Sequence, residues 1–428
     1  MKAYKDLTKQ ELLTLRAALE EEYKTLESKG LNLNMARGKP SYAQLELSMP
    51  MFDILSGHSD MNTILGNDTR NYGDLDGIGE CRRLMAAMLS VEKDNVIVCG
   101  NSSLNIMYDT VSRSMIKGVN GSTPWCKLDK VKFLCPVPGY DRHFRITEYF
   151  GIEMINIPLY EDGPDMDLVE QYVNNDPSVK GIWCVPKYSN PTGISYSDEV
   201  VRRFANLHPA AEDFRIYWDN AYCIHHLYED VHDEILNILT ECEKAGNPNM
   251  VYIFASTSKI SFPGSGVSAI ASSIENINYI LSQMTVQTIG HDKINQLRHV
   301  RFFKDLDGLN AHMKLHADIL RPKFEAVLNT LETELGGLEI GSWIKPRGGY
   351  FISFNALPNC AKSIVAKCKA LGVTLTNAGA TFPYGKDPLD SNIRIAPSFP
   401  TAEEMEEASK IFVLCVKLAS IEKLLSES

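Results

Sequence analysis

The chain has 428 residues, of which 44% are hydrophobic and 23% are charged, and 43 Lys and Arg stand against 54 Asp and Glu for a net charge of −11. These proportions are typical of globular proteins and exclude disordered, collagen-like and disulfide-scaffold chains, while the length predicts about two or three domains. The negative charge disfavours a general binder of nucleic acid or of anionic membranes, and no stretch of about 18 apolar residues predicts a transmembrane helix.

Two features of the sequence predict a cytoplasmic protein. The first thirteen residues carry Asp6 and Glu11 and lack the uninterrupted apolar core of a signal peptide. The ten cysteines are scattered without a CxxC pair, mostly inside apolar runs, as buried reduced thiols are.

Both ends of the chain predict amphipathic helices. Near the N-terminus, a capping-box pattern at Thr8 and Glu11 precedes an apolar stripe of helical spacing. Near the C-terminus, Thr401 and Glu404 precede a second stripe of the same kind.

Seven short apolar, β-branched runs lie between these helices and alternate with helical segments. Because strands without polar alternation are buried on both faces, they predict a mostly parallel seven-stranded sheet with helices on both faces, a doubly wound α/β fold. The predicted strands are Val96–Cys99, Lys132–Pro136, Glu153–Leu159, Gly181–Pro186, Arg215–Asp219, Met250–Ala255 and Val267–Ser272.

A smaller α+β domain is predicted beyond residue 320. We therefore expect an N-terminal helix and arm over residues 1–45, which pack with the small domain, a large ligand-binding α/β domain over 46–320, and the small domain over 321–428. The predicted elements around and after the boundary are a long helix (Ala311–Leu335) and the strands Tyr350–Phe354, Val373–Thr376 and Ile393–Ala396.

Ligands of open α/β sheets bind at the carboxyl ends of the strands, so the residues there form the candidate site. After the first strand, Ser102 and Ser103 follow Gly100 and open a helix, where hydroxyls and free amides make an anion site or only an ordinary N-cap. After the second strand, Tyr140 follows a Pro-Gly turn and can stack on a flat ring or simply pack in the turn.

Three further strand ends carry reactive or hydrogen-bonding groups. Asn190, after the fourth strand, can donate a hydrogen bond to a phenolate-like oxygen. Asp219 ends the fifth strand, where a buried carboxylate needs a cationic or protonated partner, and Tyr222 follows it. Lys259, after the sixth strand, fits an exposed helix-start lysine when taken alone, but a desolvated lysine has a lowered pKa and can form a Schiff base.

Taken together, these groups match what pyridoxal 5'-phosphate requires: an amine, a carboxylate that keeps the pyridine nitrogen protonated, donors at the ring oxygen and a phosphate cradle. The series Asn190, Asp219, Tyr222, Lys259 and Arg394, with its surrounding motifs, resembles the fold-type I pyridoxal-phosphate family in its class I/II aminotransferase branch. The resemblance runs from about residue 33 to residue 400, and the chain is most similar to a divergent aspartate-aminotransferase-like subgroup of bacteria.

The resemblance implies a role for each matching residue. Catalysis would fall to Lys259, as the Schiff-base lysine and general base, to Asp219 at the pyridinium and to Tyr222 at the ring oxygen. Arg394, in Asn-Ile-Arg-Ile-Ala-Pro, would grip the substrate α-carboxylate, with Gly38 and Asn190 also beside the substrate. The implied cofactor contacts are Asn190 and Tyr222 at the ring oxygen, Tyr140 against the ring, Ser102, Ser103, Ser256 and Ser258 at the phosphate, and Tyr72 at the phosphate of the neighbouring subunit.

One departure from the family pattern concerns the cofactor phosphate. Most relatives show Pro-Gly-x-Arg after the lysine, and that arginine holds the phosphate. Here Pro263-Gly264-Ser265-Gly266 puts Gly266 in its place. Arg37, Lys39 or a residue of the other subunit would then neutralise the phosphate, or the cofactor would be held less tightly.

The resemblance implies a homodimer with shared active sites that moves an amino group between an amino acid, aspartate or glutamate, and a 2-oxo acid by a ping-pong mechanism. A dicarboxylic substrate needs a second cation at its far end. The candidates by sequence neighbourhood are Arg37, Lys39, Arg142, Lys293 and Arg298.

Several other functions remain open from the sequence. The same site could serve a carbon–sulfur lyase, or an aminotransferase for aromatic amino acids or alanine. A ligand-sensing aminotransferase-like domain and a sugar- or nucleotide-binding α/β protein are the non-enzyme alternatives, although the latter lacks its own phosphate-loop motif. No metal site is predicted, because His143, His225 and His226 have no matching ligand spacing.

Overall fold

The protein was analysed as a computed structural model, which describes residues 2–427; Met1 and Ser428, at the outer limits of the predicted regions, lie outside the described residues. Its strands in chain order are β1 (Leu33–Asn34), β2 (Val96–Val98), β3 (Lys132–Val137), β4 (Glu153–Tyr160), β5 (Gly163–Pro164), β6 (Val179–Cys184), β7 (Arg215–Asp219), β8 (Val251–Ser256), β9 (Ser268–Ala271), β10 (Gly341–Trp343), β11 (Ile352–Ala356), β12 (Val373–Thr374) and β13 (Asn392–Ile395). Its α-helices are α1 (Lys9–Glu27), α2 (Tyr42–Glu46), α3 (Gly79–Leu89), α4 (Ser103–Lys117), α5 (Asp141–Tyr149), α6 (Met166–Asn175), α7 (Asp198–Ala205), α8 (Ile238–Lys244), α9 (Ile274–Met284), α10 (Lys293–Phe303), α11 (Leu306–Leu335), α12 (Ala361–Ala370) and α13 (Ala402–Glu427). Among these, no helix is both long and apolar enough to cross a membrane.

The central sheet has the strand order β2-β9-β8-β7-β6-β3-β4-β5. Strands β8, β7, β6, β3 and β4 are parallel, and β9 runs antiparallel to both of its neighbours. Its seven longer strands are the seven predicted from the sequence, and the two-residue β5 extends the sheet at one edge. The predicted α/β fold class is confirmed.

Helices cover both faces of this sheet, which explains why its inner strands are buried along their whole length. On one face, Met85 of α3 and Val201 of α7 pack in one core with strand residues such as Trp218. On the other face, Met107 of α4 and Phe144 of α5 pack in a separate core. The strand ends are therefore the part of the sheet where polar groups can meet a ligand.

A second layer is built from two small sheets and the terminal helices. β10, β11 and β13 form an antiparallel sheet, and β1 pairs with β12 in parallel. Leu12 and Leu19 of α1 lie in the same core as Phe412 of α13, and Tyr23 Oη donates to the carbonyl of Lys367 in α12 at 3.0 Å. The N-terminal helix thus packs on the C-terminal elements, while the limits of the three regions stay a prediction.

The long helix α11 begins at Leu306 rather than at the predicted Ala311. The side chain of Asp305 accepts the amide of Gly308 at 2.9 Å and caps the additional turn. A cap that precedes an apolar run by several residues is easily missed in a sequence, because the intervening turn carries no stripe of its own.

The helix α11 connects the two layers. Leu309 and Met313, in its first half, pack in a core of the central sheet, whereas Leu320 and Phe324 pack in the core of the second layer. Pro322 lies inside the helix between Leu320 and Phe324.

Candidate active site

The polar residues predicted at the strand ends lie at one edge of the central sheet. β2 has the same direction as β8, since both are antiparallel to β9, and the neighbouring strands are parallel to β8. Their carboxyl ends therefore face the same way. The residues found there are Ser102 and Ser103 after β2, Tyr140 after β3, Asn190 after β6, Asp219 at the end of β7, and Ser256, Ser258 and Lys259 at and after β8.

Lys259 carries its amine into a largely apolar, aromatic setting. Its Nζ lies 5.0 Å from the ring centroid of Tyr222 and 5.9 Å from that of Tyr350, and it has no hydrogen-bond or ion-pair partner among the described residues. Burial lowers the pKa of Lys259, and the negative charge of Asp219 opposes this lowering only in part. A neutral amine with a free lone pair can attack a carbonyl carbon or accept a proton.

The main chain around this lysine is fixed by buried polar side chains. Tyr350 Oη donates to the carbonyl of Lys259 at 3.4 Å, and His312 Nε2 lies 2.9 Å from the carbonyl of Ile260. His316 Nε2 lies 3.1 Å from His312 Nε2, which extends the network. Burial lowers the pKa of His316 to about 3, so this imidazole is neutral near pH 7 and supports the lysine without adding charge.

Asp219 is a buried carboxylate, and only one of its two oxygens has a hydrogen-bond partner among the described residues. Its Oδ2 accepts a hydrogen bond of 2.9 Å from His143 Nε2, since an ionised carboxylate can only accept. His143 is itself buried and stacks on Trp183, with ring centroids 4.5 Å apart and 11° between the planes. The other oxygen, Oδ1, is buried without a partner among the described residues. An orphaned anionic acceptor fits a protonated pyridine nitrogen, as the predicted cofactor would provide.

Tyr140 and Tyr222 supply aromatic surface beside this carboxylate. Burial raises the pKa of both phenols, and the charge of Asp219 raises them further, so both remain protonated donors. Tyr140 also contacts His143 edge-on at 4.9 Å between centroids. Asn190 is buried, and its Oδ1 accepts from Arg394 Nη1 at 3.3 Å, which leaves its amide nitrogen free to donate.

The predicted phosphate region is made of hydroxyls at the start of α4 and at the end of β8. Ser102 is the N-cap residue of α4, yet its side chain makes no capping hydrogen bond. Ser256 Oγ donates to Ser258 Oγ at 3.1 Å, and Ser258 Oγ donates to the carbonyl of Asn101 at 3.0 Å, so the two segments are tied together. A helix N-terminus with an unused hydroxyl suits an anion such as phosphate.

Gly266, which stands where the sequence resemblance leads us to expect an arginine, is closely surrounded by its neighbours. A Cβ at this residue would lie 3.0 Å from Thr257 Oγ1 and 3.1 Å from the carbonyl oxygen of Phe262. Arg298 instead lies beside this loop, where its Nη2 donates to Ser265 Oγ at 2.6 Å. A cation therefore lies beside the loop, although position 266 itself carries none.

We expect Gly266→Ala to destabilise the fold by about 1 kcal/mol, because the new methyl group would overpack against main-chain atoms. Urea unfolding of the purified variant measures this change. Gly264→Ala is the matched control, since a Cβ there meets nothing within 4 Å. Equal stability of the two variants would show that the space at 266 does not exclude a side chain.

Arg394 projects from β13 and is held by four groups. Its Nη1 donates to Asp141 Oδ1 at 3.1 Å as well as to Asn190, its Nη2 donates to Thr376 Oγ1 at 3.2 Å, and its guanidinium carbon lies 4.8 Å from the ring of Phe351. Its Nε is buried without a partner among the described residues. The arginine is thus oriented next to Asn190 with a donor to spare.

Gly38 lies against the same aromatic ring. A Cβ at this position would come within 2.2 Å of Phe351 Cζ, so only glycine allows this close approach. The main chain of the N-terminal arm thereby reaches the ring that Arg394 also contacts, and the role of Gly38 beside the substrate stays a prediction.

Tyr72 lies outside this cluster, with 82% of its surface exposed. Its main chain is fixed, because buried Lys293 donates to the Tyr72 carbonyl and pairs with Asp74, each at 3.2 Å. A ring presented outwards on a fixed loop is available to another molecule.

The five cations considered for a distal carboxylate are not gathered at one point. Lys293 is engaged by Asp74 and Arg298 by Ser265, and Lys39 Nζ lies 3.9 Å from the ring centroid of Phe399. Arg37 is exposed, and Arg142 Nε is 4.0 Å from Asp141 Oδ2. The residue that would bind a distal carboxylate stays open. Within residues 2–427, no group of three His, Cys, Asp or Glu side chains is arranged to hold a metal ion.

The sequence analysis missed four residues of this site: His143 as the partner of Asp219, and Asp141, Thr376 and Phe351 around Arg394. Asp141 and His143 lie within three residues of Tyr140. Their closeness to the end of a strand could have identified them as candidate site residues. Thr376 and Phe351 meet Arg394 only through the pairing and packing of the second layer, which no local motif encodes.

Comparison with known proteins agrees with this geometry. The model of the aspartate amino-transferase family matches residues 7–428. An aspartate aminotransferase of Corynebacterium glutamicum is 45% identical over 405 residues, which cover 94% of this chain and 93% of that protein. The crystal structure of an aspartate transaminase from the same species superposes with a TM-score of 0.96 at 43% identity and covers 99% of both chains.

More distant structures share the fold. LysN, an α-aminoadipate aminotransferase of Thermus thermophilus that was solved with N-(5'-phosphopyridoxyl)-L-leucine, has a TM-score of 0.72 at 18% identity and covers 95% of this chain and 96% of its own. With the family model spanning almost the whole length and a relative of 45% identity, this chain belongs to the aspartate amino-transferase family.

Proposed function

We propose that this protein uses pyridoxal 5'-phosphate to move the amino group of aspartate or glutamate to a 2-oxo acid, in two half-reactions of a ping-pong cycle. The observation that carries the proposal is that the same sheet edge presents the Lys259 amine and the buried Asp219 Oδ1, neither of which has a hydrogen-bond partner among the described residues. Aminotransferases of this family use this cofactor. Relatives of this chain that are named aspartate aminotransferases support the choice of substrate.

The cofactor, when bound, supplies an aldehyde that condenses with amines and a protonated ring that withdraws electrons from the substrate Cα. Asp219 Oδ1 would hold the proton on the ring nitrogen, with His143 keeping the carboxylate in place through Oδ2. Ser102, Ser103, Ser256 and Ser258 would bind the phosphate together with the amides at the start of α4.

The remaining residues act on the substrate. Lys259 Nζ would take the proton from the substrate Cα and later give it up again, and burial favours its neutral, proton-accepting form by lowering the pKa of the amine. Arg394 would bind the α-carboxylate and so orient the Cα–H bond toward the lysine. Tyr222 and Asn190 would donate to the ring oxygen, and Tyr140 would pack against the ring.

A visible-absorbance titration of the purified, cofactor-loaded protein tests the proposal. Aspartate and glutamate should each convert the bound cofactor to its amine form and yield one equivalent of 2-oxo acid, whereas alanine and phenylalanine should do so more slowly. A faster response to phenylalanine or alanine would favour the alternative amino acids. Release of pyruvate and ammonia from cystathionine without any 2-oxo acid would identify a carbon–sulfur lyase instead.

We expect Arg394→Ala to lower kcat/KM for aspartate by at least about 10²-fold, because the variant loses a charge-assisted, two-pronged contact with the α-carboxylate. Steady-state kinetics measures the change. The matched control is Arg202→Ala, which removes an exposed arginine of α7 paired with Asp198. Unchanged kinetics in Arg394→Ala would remove this residue from the substrate site.

We also propose a homodimer in which Tyr72 of each subunit reaches the phosphate of the other. The exposed ring and the fixed main chain at Tyr72 support this arrangement. Light scattering of the purified protein measures the oligomeric state, and a monomer at micromolar concentration would contradict it.

A cytoplasmic location is proposed as well. Among the ten cysteines, all of them unpaired, only Cys126 is exposed, as in proteins that are kept reduced. The three regions (1–45, 46–320 and 321–428) are proposed as its domains, with the site between the second and the third.

A further inference from the structure

The arginine proposed to bind the substrate α-carboxylate already forms an ion pair with a carboxylate of the protein itself. Arg394 Nη1 lies 3.1 Å from Asp141 Oδ1, and the two side chains are 10% and 30% exposed. Asp141 is the first residue of α5, which packs on the central sheet, whereas Arg394 belongs to β13 in the second layer. No other carboxylate of the described residues forms an ion pair with Arg394.

Asp141 is not needed to orient this arginine. Asn190 Oδ1 and Thr376 Oγ1 accept hydrogen bonds from its two terminal nitrogens, and the ring of Phe351 lies 4.8 Å from its guanidinium carbon. These three neutral contacts fix the guanidinium on two edges and one face. The contribution of Asp141 is therefore mainly its negative charge.

Two carboxylates on one poorly solvated guanidinium repel each other, so an incoming α-carboxylate has to share or displace Asp141. A destination for the displaced side chain is present. Asp141 Oδ2 lies 4.0 Å from Nε of Arg142, whose side chain is 61% exposed, and the N-terminus of α5 favours a negative charge in its first turn.

We propose that Asp141 is an internal competitor for the substrate α-carboxylate: it pairs with Arg394 when no substrate is bound, moves toward Arg142 when substrate binds, and weakens the affinity for every carboxylate ligand. This inference rests on the proposed function, because it takes Arg394 as the carboxylate site. It adds a residue that sets affinity from the large-domain side of the site.

The test uses cofactor-loaded protein and succinate, a dicarboxylate that has no amine and cannot react. Isothermal titration calorimetry should show that Asp141→Asn binds succinate about tenfold more tightly than the natural protein, since the amide keeps the shape of the side chain and removes its charge. The KM for aspartate should fall by a similar factor. Asp141→Ser, which keeps a residue suited to a helix start, should shift the affinity in the same direction and guards against a folding defect of one variant.

Glu148→Gln is the matched control, because it removes an exposed acid from the same helix, where Glu148 pairs with Arg145 at 2.8 Å. Its succinate affinity should stay unchanged. An unchanged or weakened affinity in both Asp141 variants would overturn the proposal and show that Asp141 only supports the arginine. Succinate bound by none of the proteins would also overturn it. Failure of the proposed function would appear differently, as an absence of amino transfer in the natural protein whatever the succinate affinities are.

Discussion

Lys259→Ala is expected to abolish amino transfer, with kcat lowered by about 10⁴-fold or more. The variant loses both the amine that would hold the cofactor covalently and the base that would move the α-proton, and general acid–base catalysis alone contributes up to about 10⁴-fold. No other lysine amine lies near the rings of both Tyr222 and Tyr350, so no second amine of the described residues can substitute. Single-turnover absorbance with aspartate measures the loss.

The control for this variant is Lys244→Ala, which removes an exposed lysine of α8 that pairs with Glu241. Its turnover should equal that of the natural protein. The Lys259 variant should also lose the visible absorption band of the covalently held cofactor. Its cofactor-free form should unfold at the same temperature as the cofactor-free natural protein, because the lysine amine has no hydrogen-bond or ion-pair partner among the described residues. A Lys259→Ala protein that still turns over aspartate at a comparable rate would assign the chemistry to another residue.

Asp219→Asn should lower kcat by about 10³-fold. The amide keeps an oxygen that can accept from His143 Nε2, but it places an uncharged group where the ring nitrogen would need an anion. Removing one partner of a buried ion pair costs about 3–5 kcal/mol, and each 1.4 kcal/mol corresponds to a factor of about ten. The reaction would lose the protonated ring that accepts the electrons of the substrate Cα.

Steady-state kinetics at saturating aspartate, together with the absorbance spectrum of the bound cofactor, measures the effect of Asp219→Asn. Asp198→Asn, at the exposed start of α7, serves as the matched control. A variant with a normal rate and a normal spectrum would show that Asp219 does not face the ring nitrogen, and the placement of the cofactor would have to be revised.

The sheet and the reactive groups could be predicted from the sequence for the same physical reason. Buried strands are continuous apolar runs, and the polar residue that ends such a run, as Asp219 ends β7, is conspicuous because burial of a lone carboxylate is costly. Lys259 stood out only in combination with Asn190 and Asp219. The sequence gives no comparable signal for the side chains that orient these groups, such as His143 and Thr376.

The limits of the prediction are also physical. The sequence reveals the absence of an arginine at Gly266, but the crowding of this position by Thr257 and Phe262 depends on the path of the whole loop. The ion pair between Asp141 and Arg394 joins residues 253 positions apart, and it exists because the two layers meet at the strand ends. Such contacts follow from tertiary packing rather than from local pattern.

The long helix shared by the two layers has a mechanical consequence. Pro322 has no amide hydrogen to donate to the carbonyl of Asp318. The helix α11 therefore lacks one main-chain hydrogen bond at this point and resists bending less there. Met313, before this missing hydrogen bond, packs in a core of the central sheet, whereas Phe324, beyond it, packs in the core of the second layer. The helix is therefore least stiff close to where its contacts pass from one core to the other, and a change in the angle between the layers would concentrate its bending there.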